Sequence, residues 1–434
     1  MARIIVRRVS LRPEDVFTPR GELKHSDMYV SRSDLENALR RSLRSPKHVV
    51  IHGESGCGKS WMYKRVFSED DVLYRVINLG RASAANSILS LIESAVARDG
   101  YSEKISYGVE KEATAGIAGF GGRLQTEGQY KIAQADIFEK CLELIRANAG
   151  PSRVACLVFD NLEHIFDNEA LIKELAGLIL LVDDENYSKY RVKLVLVGTP
   201  NDIRSYISKV SKSNTITNRL SEVPEVSRLQ PRNSRELVSR GLYLKLGYKV
   251  IPGKISGEDF NENFVPRTVS YYSDLIPQYV QELGLHVALR AEENGGLLSA
   301  GVFDLARHDW VRESLVSELA VVEANLNSRS TRIGRKNQVI YSLGQCQAHD
   351  FNSSAIEKIV RKEFNKSCSG VVLNIAQTMS ELTLSNNPII RKSPNGRAYR
   401  FVDPKLRMVI RLKFMKGADE SLELRTFENS ISTL

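Results

Sequence analysis

One stretch constrains this chain more than any other: Gly53-Glu54-Ser55-Gly56-Cys57-Gly58-Lys59-Ser60, set between the apolar run His48–His52 and a helix-forming segment that opens at Lys59. It meets a phosphate-loop pattern at every fixed position, Gly53, Gly58, Lys59 and Ser60. Glycines let the backbone turn its N–H groups toward one point, and the start of the following helix adds the positive end of its dipole. Such a loop needs a buried strand feeding a helix, so the chain must carry an α/β domain. Further strand-like runs at Leu73–Asn78, Val154–Asp160 and Lys193–Gly198 alternate with helical patterns at Ala84–Arg98, Ala133–Ala147 and Glu169–Val182. That alternation predicts a parallel sheet covered on both faces, and the near-continuous apolar strands agree with it.

The loop carries its own chemistry. Lys59 is placed to contact the β- and γ-phosphates of a nucleotide, and the Ser60 hydroxyl to bind Mg²⁺. The expected contacts run through Gly53, Glu54, Ser55, Gly56, Cys57, Gly58, Lys59, Ser60 and Trp61, and the expected ligand is ATP or a close nucleotide with magnesium. A second signal is the apolar run Val154–Phe159 ending at Asp160. An acidic residue at such a strand end is the usual second half of the site, so Ser60 and Asp160 are the expected metal-binding pair. Hydrolysis also needs a group that orients or deprotonates water. Glu163 is the nearest carboxylate on the same turn, and Asn161 could orient water but would accept its proton poorly. A third run, Leu194–Gly198, ends in Thr199-Pro200-Asn201. Thr199 or Asn201 at that strand end could sense the γ-phosphate; a turn without contact is the alternative.

The pattern along the chain divides it into a leader at 1–30, a P-loop core at 31–230, a helical lid at 231–330, a winged-helix domain at 331–420 and a tail at 421–434. Residues 106–128 are rich in Gly and Ala and read as an inserted loop, hairpin or plain connector. Ser328–Lys336 is a basic, polar linker. Near the end, helical patterns precede two strand-like runs around Pro394-Asn395-Gly396, and Asn-Gly between such runs is a hairpin signal. The formal net charge of +9 favours polyanionic partners such as nucleic acid. Five scattered cysteines have no zinc-ligand spacing and an odd count, which fits a reducing compartment. Without a secretory leader pattern or a long apolar span, a cytoplasmic location and no membrane association are expected.

Together these motifs resemble the AAA+ superfamily, in its branch of origin-recognition-type initiators, transposition ATPases and STAND-type signalling ATPases. The resemblance runs over residues 29–310 and more weakly through the C-terminal segment. It implies that Tyr29–Glu36 is an adenine-contacting box with Arg32 in it, although Ser31 stands where the family has Gly. A helix cap at Ser33 or Asp34 accounts for the same residues. It implies that Arg219 is an arginine finger reaching a neighbouring subunit, with a surface ion pair as the alternative. Gln278 stands where the family's second sensor carries arginine, and Asp160-Asn161 replaces the usual Asp-Glu pair. Both departures point to slow hydrolysis or a nucleotide-locked switch. In the winged helix, Arg391, Lys392, Arg397 and Arg400, extended by Lys405, Arg407, Arg411 and Lys413, would face DNA or a protein. The expected function is an ATP-dependent homo-oligomeric switch that controls a partner effector, in bacterial antiviral defence. The alternative is a DNA-binding initiator or transposition-type ATPase.

Overall fold

The computed structural model describes residues 11–20, 28–97, 125–199, 215–255, 257–327, 334–393 and 396–425. Most of the Gly/Ala-rich segment, Asn201, most of the basic linker, Pro394-Asn395 and the end of the tail lie outside the described residues. The chain forms two compact units, one of residues 31–227 and the other joining the N-terminal segment to everything from Arg228 onward.

The first unit is a three-layer α/β body. Helix α1 (Ser33–Arg44) leads into β1 (His48–His52), and α2 (Lys59–Glu69) follows the phosphate loop. Next come β2 (Leu73–Asn78), α3 (Ile88–Val96), α4 (Gln125–Ala149), β3 (Ala155–Asp160) and α5 (Glu169–Val182). The unit closes with β4 (Val192–Gly198), α6 (Thr215–Arg219) and β5 (Leu220–Glu222). The five strands form one parallel sheet in the order β2-β3-β4-β1-β5. The apolar residues of β1, β3 and β4 are buried, as strands covered on both faces must be. Strand β5 is too short and too mixed in sequence to show by pattern; it exists because its backbone pairs with His48, Val49 and Val50.

The strand order positions the site. From β1 the chain crosses to β2 at the far edge, and β3 and β4 fill the space between. The connection leaving β1 runs one way, to β2, and the one leaving its neighbour β4 runs the other, to β5, which opens a crevice at the carboxyl ends of the strands, where ligands of such sheets bind. The phosphate loop leaves that end of β1, and Asp160 and Thr199 stand at the same end of β3 and β4. Helix ends near the crevice are satisfied locally. Glu174 on α5 accepts from Ser87 Oγ and from the backbone N–H groups of Ile88 and Leu89, capping α3.

The second unit is mostly helical. It contains α7 (Pro231–Ser239), α8 (Phe264–Tyr272), α9 (Pro277–Glu293), α10 (Ala300–Ser314), α11 (Val316–Asn325), α12 (Arg335–Gln345), α13 (Ser353–Glu363) and α14 (Ile375–Leu384). An antiparallel hairpin, β6 (Ile390–Lys392) with β7 (Tyr399–Phe401), is followed by α15 (Pro404–Lys413). Helices α10 and α11 are separated at Leu315, whose backbone leaves the helical region at φ −131°, ψ 13°. The segments expected as lid and winged helix share this one unit, because α11 and α12 both pack against α15.

The expected N-terminal leader also contributes to it. Val16 and Phe17 are buried, and Thr18 N–H donates to Gln281 Oε1 at 2.8 Å. The Phe17 ring lies where a β-carbon on Gly241 or Gly284 would sit, within 2.3 and 2.7 Å respectively.

The expected basic surface of the C-terminal segment is reduced by burial. Arg407 and Arg411 are buried and converge on Asp274, each with contacts at 3.1 Å. Arg400 is paired with Asp350, and Lys405 with Glu318 at 3.3 Å. These side chains lie on the inner face of α15 or are held by acids, so their charge is spent within the fold. Among the described residues all five cysteines are free and buried, and no helix is long and apolar enough to cross a membrane.

Candidate functional site

The phosphate loop is held open by its own geometry and by neighbours on three sides. Gly56 and Gly58 take φ of 78° and 87°, the left-handed region that glycine adopts without cost. Gly53 N–H donates to Gly198 O at 3.3 Å, tying the loop to the end of β4. A β-carbon on Gly53 would lie 2.4 Å from the Val226 carbonyl oxygen, so no larger residue fits there. Cys57 is buried beneath the turn, Ser55 is exposed, and Glu54 and Trp61 are half-buried at its two ends.

Lys59 begins α2, and its Nζ donates to the carbonyls of Gly53 and Glu54 at 2.7 and 3.1 Å. Burial pushes its ammonium below the ordinary value, opposed by the charges of Glu163, Cys57, Asp160 and Glu54. A half-buried cation held across the loop is a ready partner for a phosphate oxygen.

Ser60 and Asp160, a hundred residues apart, are in contact: Ser60 Oγ donates to Asp160 Oδ2 at 3.0 Å. The same carboxylate oxygen accepts from Tyr63 Oη at 3.1 Å, and Oδ1 accepts from the Asn161 N–H at 2.9 Å. Sequence reading missed Tyr63, whose only signal is its place one turn after Ser60 on α2. A hydroxyl and a carboxylate are hard oxygen donors, the kind that suits Mg²⁺, which keeps several waters and takes few protein ligands.

Asn161 sits in the left-handed region at φ 63°, ψ 46°, and its Nδ2 donates to Asn78 Oδ1 at 3.0 Å. Asn78 was also missed; it ends β2 and joins that strand end to β3. The turn at Asn161 starts a short 3₁₀ helix that carries Glu163. Among the described residues Glu163 Oε2 is buried without a hydrogen-bond partner. Thr199 follows Gly198, the residue bonded to Gly53, at the same sheet edge.

Arg32 and Arg219 each engage protein groups of their own chain. Arg32 Nη2 donates to Cys57 O at 2.7 Å and Nη1 to Ser227 O at 2.9 Å, so its guanidinium buttresses the phosphate loop. The helix start beside it is capped by neither Ser33 nor Asp34. Instead Glu36 reaches back to accept from Arg32 N–H at 2.7 Å and from Ser31 Oγ. Arg219 pairs with Asp183 at 2.6 Å. His48, with Nε2 3.4 Å away, and then Arg219 hold the Asp183 carboxyl below its ordinary value. His48 opens β1 and pairs with Leu220, so this cluster lies at the amino end of the strand, about 15 Å from the loop at its other end at ~3.3 Å per residue.

The AAA domain family matches residues 41–207. No curated protein matches the chain. Among solved structures, the chain is similar to a Walker-type ATPase of Pyrococcus abyssi, with 15% identity over 93% of this chain and 99% of that one and a TM-score of 0.49. It is similar to the ORC2 protein of Aeropyrum pernix, with 12% identity, coverage of 88% and 94% and a TM-score of 0.42. It is also similar to Cdc6p from Pyrobaculum aerophilum, with 12% identity, coverage of 92% and 96% and a TM-score of 0.41. The family match spans the phosphate loop and four of the five parallel strands, so residues 41–207 of this chain match an AAA domain laid on a parallel P-loop sheet.

Proposed function

We propose that this chain binds ATP with magnesium at Gly53–Trp61, hydrolyses it slowly, and uses the nucleotide state as a switch. The observation that carries this reading is the meeting of Ser60 Oγ and Asp160 Oδ2 beside a half-buried Lys59 held across the loop. Backbone amides and Lys59 would take the β- and γ-phosphates, and Ser60 and Asp160 would hold the ion. When bound, magnesium neutralises charge on the phosphate oxygens as the terminal group departs. Ser60 Oγ donates a hydrogen bond to Asp160 Oδ2, and its lone pairs would be available to the cation.

Glu163 is the proposed base. Its buried, unpartnered Oε2 is suited to accept a proton from water, whereas Asn161 is engaged with Asn78 and serves to fix the turn. With Asn161 in the position next to Asp160, the carboxylate stands two residues further along a 3₁₀ turn, which supports slow turnover. Thr199 is proposed to read the γ-phosphate. Arg219, at the amino end of the strands and so away from its own loop at their carboxyl end, is proposed to act only on a neighbouring copy, after release from Asp183. A separate effector protein would then respond to the assembled state.

Lys59→Ala is expected to abolish ATP binding by titration calorimetry, and Glu163→Gln to keep binding but lower turnover by about 10²- to 10⁴-fold. Normal ATP affinity in Lys59→Ala removes the site, and unchanged turnover in Glu163→Gln removes the base. A DNA-facing role rests on Arg391, Lys392 and Arg397, which are exposed on the hairpin. With Arg407 and Arg411 buried, such binding should show a shallow dependence on salt; a slope steeper than three phosphate contacts supply, at ~0.9 per contact, would contradict that surface.

A further inference from the structure

Asp160 does not reach the site alone. Its Oδ2 accepts two hydroxyl protons, from Ser60 and from Tyr63, and its Oδ1 accepts a backbone N–H. Ser60 has to turn toward a phosphate-bound cation, so the bond it makes here is open to adjustment. Tyr63 has no such freedom. It is fully buried, and its ring packs against Phe67 at 5.4 Å and edge-on to Tyr74 at 6.2 Å. Phe67 and Tyr74 meet in turn at 5.2 Å, so the three rings form one wedge between α2 and β2. The wedge aims the Tyr63 hydroxyl at a single acceptor.

We propose that Tyr63 is a positioning residue that sets the orientation of the Asp160 carboxylate for magnesium, acting through its hydroxyl rather than its ring. This rests on the magnesium reading given above. A carboxylate oxygen that already accepts from a fixed donor cannot rotate to chelate the ion through both oxygens. It presents one face, suited to holding the ion through a coordinated water. Partners of this kind, one bond removed from a metal, commonly change metal affinity by 10- to 100-fold when removed.

The test measures binding of a non-hydrolysable ATP analogue by calorimetry while Mg²⁺ is varied, with affinity in EDTA as the reference. Tyr63→Phe keeps the ring and removes the hydroxyl. It should raise the half-saturating Mg²⁺ by about tenfold and leave the EDTA affinity unchanged. Phe67→Leu disturbs the same wedge without touching Asp160; it should lower the thermal midpoint and leave the Mg²⁺ requirement in place. In an Asp160→Asn background, the effect of Tyr63→Phe should largely disappear, because both act through one carboxylate. If Asp160→Asn moves the Mg²⁺ requirement and Tyr63→Phe does not, the tyrosine role is refuted and the magnesium site stands. If Phe67→Leu moves it as far as Tyr63→Phe, the effect is packing and the proposal fails. If neither Asp160→Asn nor Tyr63→Phe moves it, the magnesium reading falls, and the tyrosine role with it.

Discussion

Arg32 illustrates how much a single side chain can be redirected by its surroundings. The resemblance assigns it to a base-contacting box, yet both terminal nitrogens bind carbonyls, one in the phosphate loop and one at Ser227. A guanidinium donates through a rigid fork and suits two acceptors at fixed separation, which an ammonium cannot match. Arg32→Ala would leave the Cys57 and Ser227 carbonyls without their charged donor and loosen the loop. We expect ATP affinity to fall by about tenfold, with Arg32→Lys recovering only part of it, as a lost bond to a charged group is worth about 1.5–3 kcal/mol. Calorimetry on the two variants decides it: equal, wild-type affinities would show that the loop holds its shape unaided. The placement of Lys59 and Ser60 is legible from the loop alone, because their neighbours in the loop are neighbours in sequence. Tyr63 and Asn78 could not be read, since each acts through a partner more than eighty residues away.

Among the elements, the turn between α8 and α9 carries the greatest burden. Asp274 and Leu275 both have positive φ, 53° and 61°, and the second is unusual for a bulky residue. The turn is held by charge. Arg228 meets the Asp274 carboxylate at 2.5 Å, and Arg407 and Arg411 reach it from α15. Arg411 also donates to Tyr271 O and Gly344 O, and Arg407 to Ala348 O, so the arginines stitch α8, α12 and α15 together. Removing one partner from a buried ion cluster leaves uncompensated charge. Asp274→Ala should therefore cost about 3–5 kcal/mol of stability, read from urea unfolding. A loss below about 1 kcal/mol would place the cluster among surface pairs of little consequence. The helices themselves were legible from apolar spacing. The inward face of α15 was not, because a run of alternating arginines and aliphatics reads the same whether its cations face water or an acid supplied by another element.

At the scale of the whole molecule, the N-terminal segment is a structural part of the unit that begins again at Arg228. Phe17 fills the space left by two glycines on different helical segments, Gly241 and Gly284, and Thr18 is bonded to Gln281. Truncating such a ring leaves a cavity that the glycines cannot collapse to fill. Phe17→Ala should destabilise that unit by about 3–5 kcal/mol and leave the ATP binding proposed for residues 31–227 intact. Two resolved unfolding transitions, with only one displaced, would show it; an unmoved thermogram would mean the segment is dispensable. The sequence by itself determined the phosphate loop, the order of strands and helices around it and the parallel character of the sheet, because these follow from local spacing and from which runs are apolar on both sides. Only the tertiary structure decided that Asp160 meets Ser60 and Tyr63 together, that Arg32 braces the loop, and that the arginines of α15 turn inward. Each of those outcomes depends on a hydrogen bond or charge pair between residues distant along the chain, and periodicity holds no record of which distant partner a polar side chain will find.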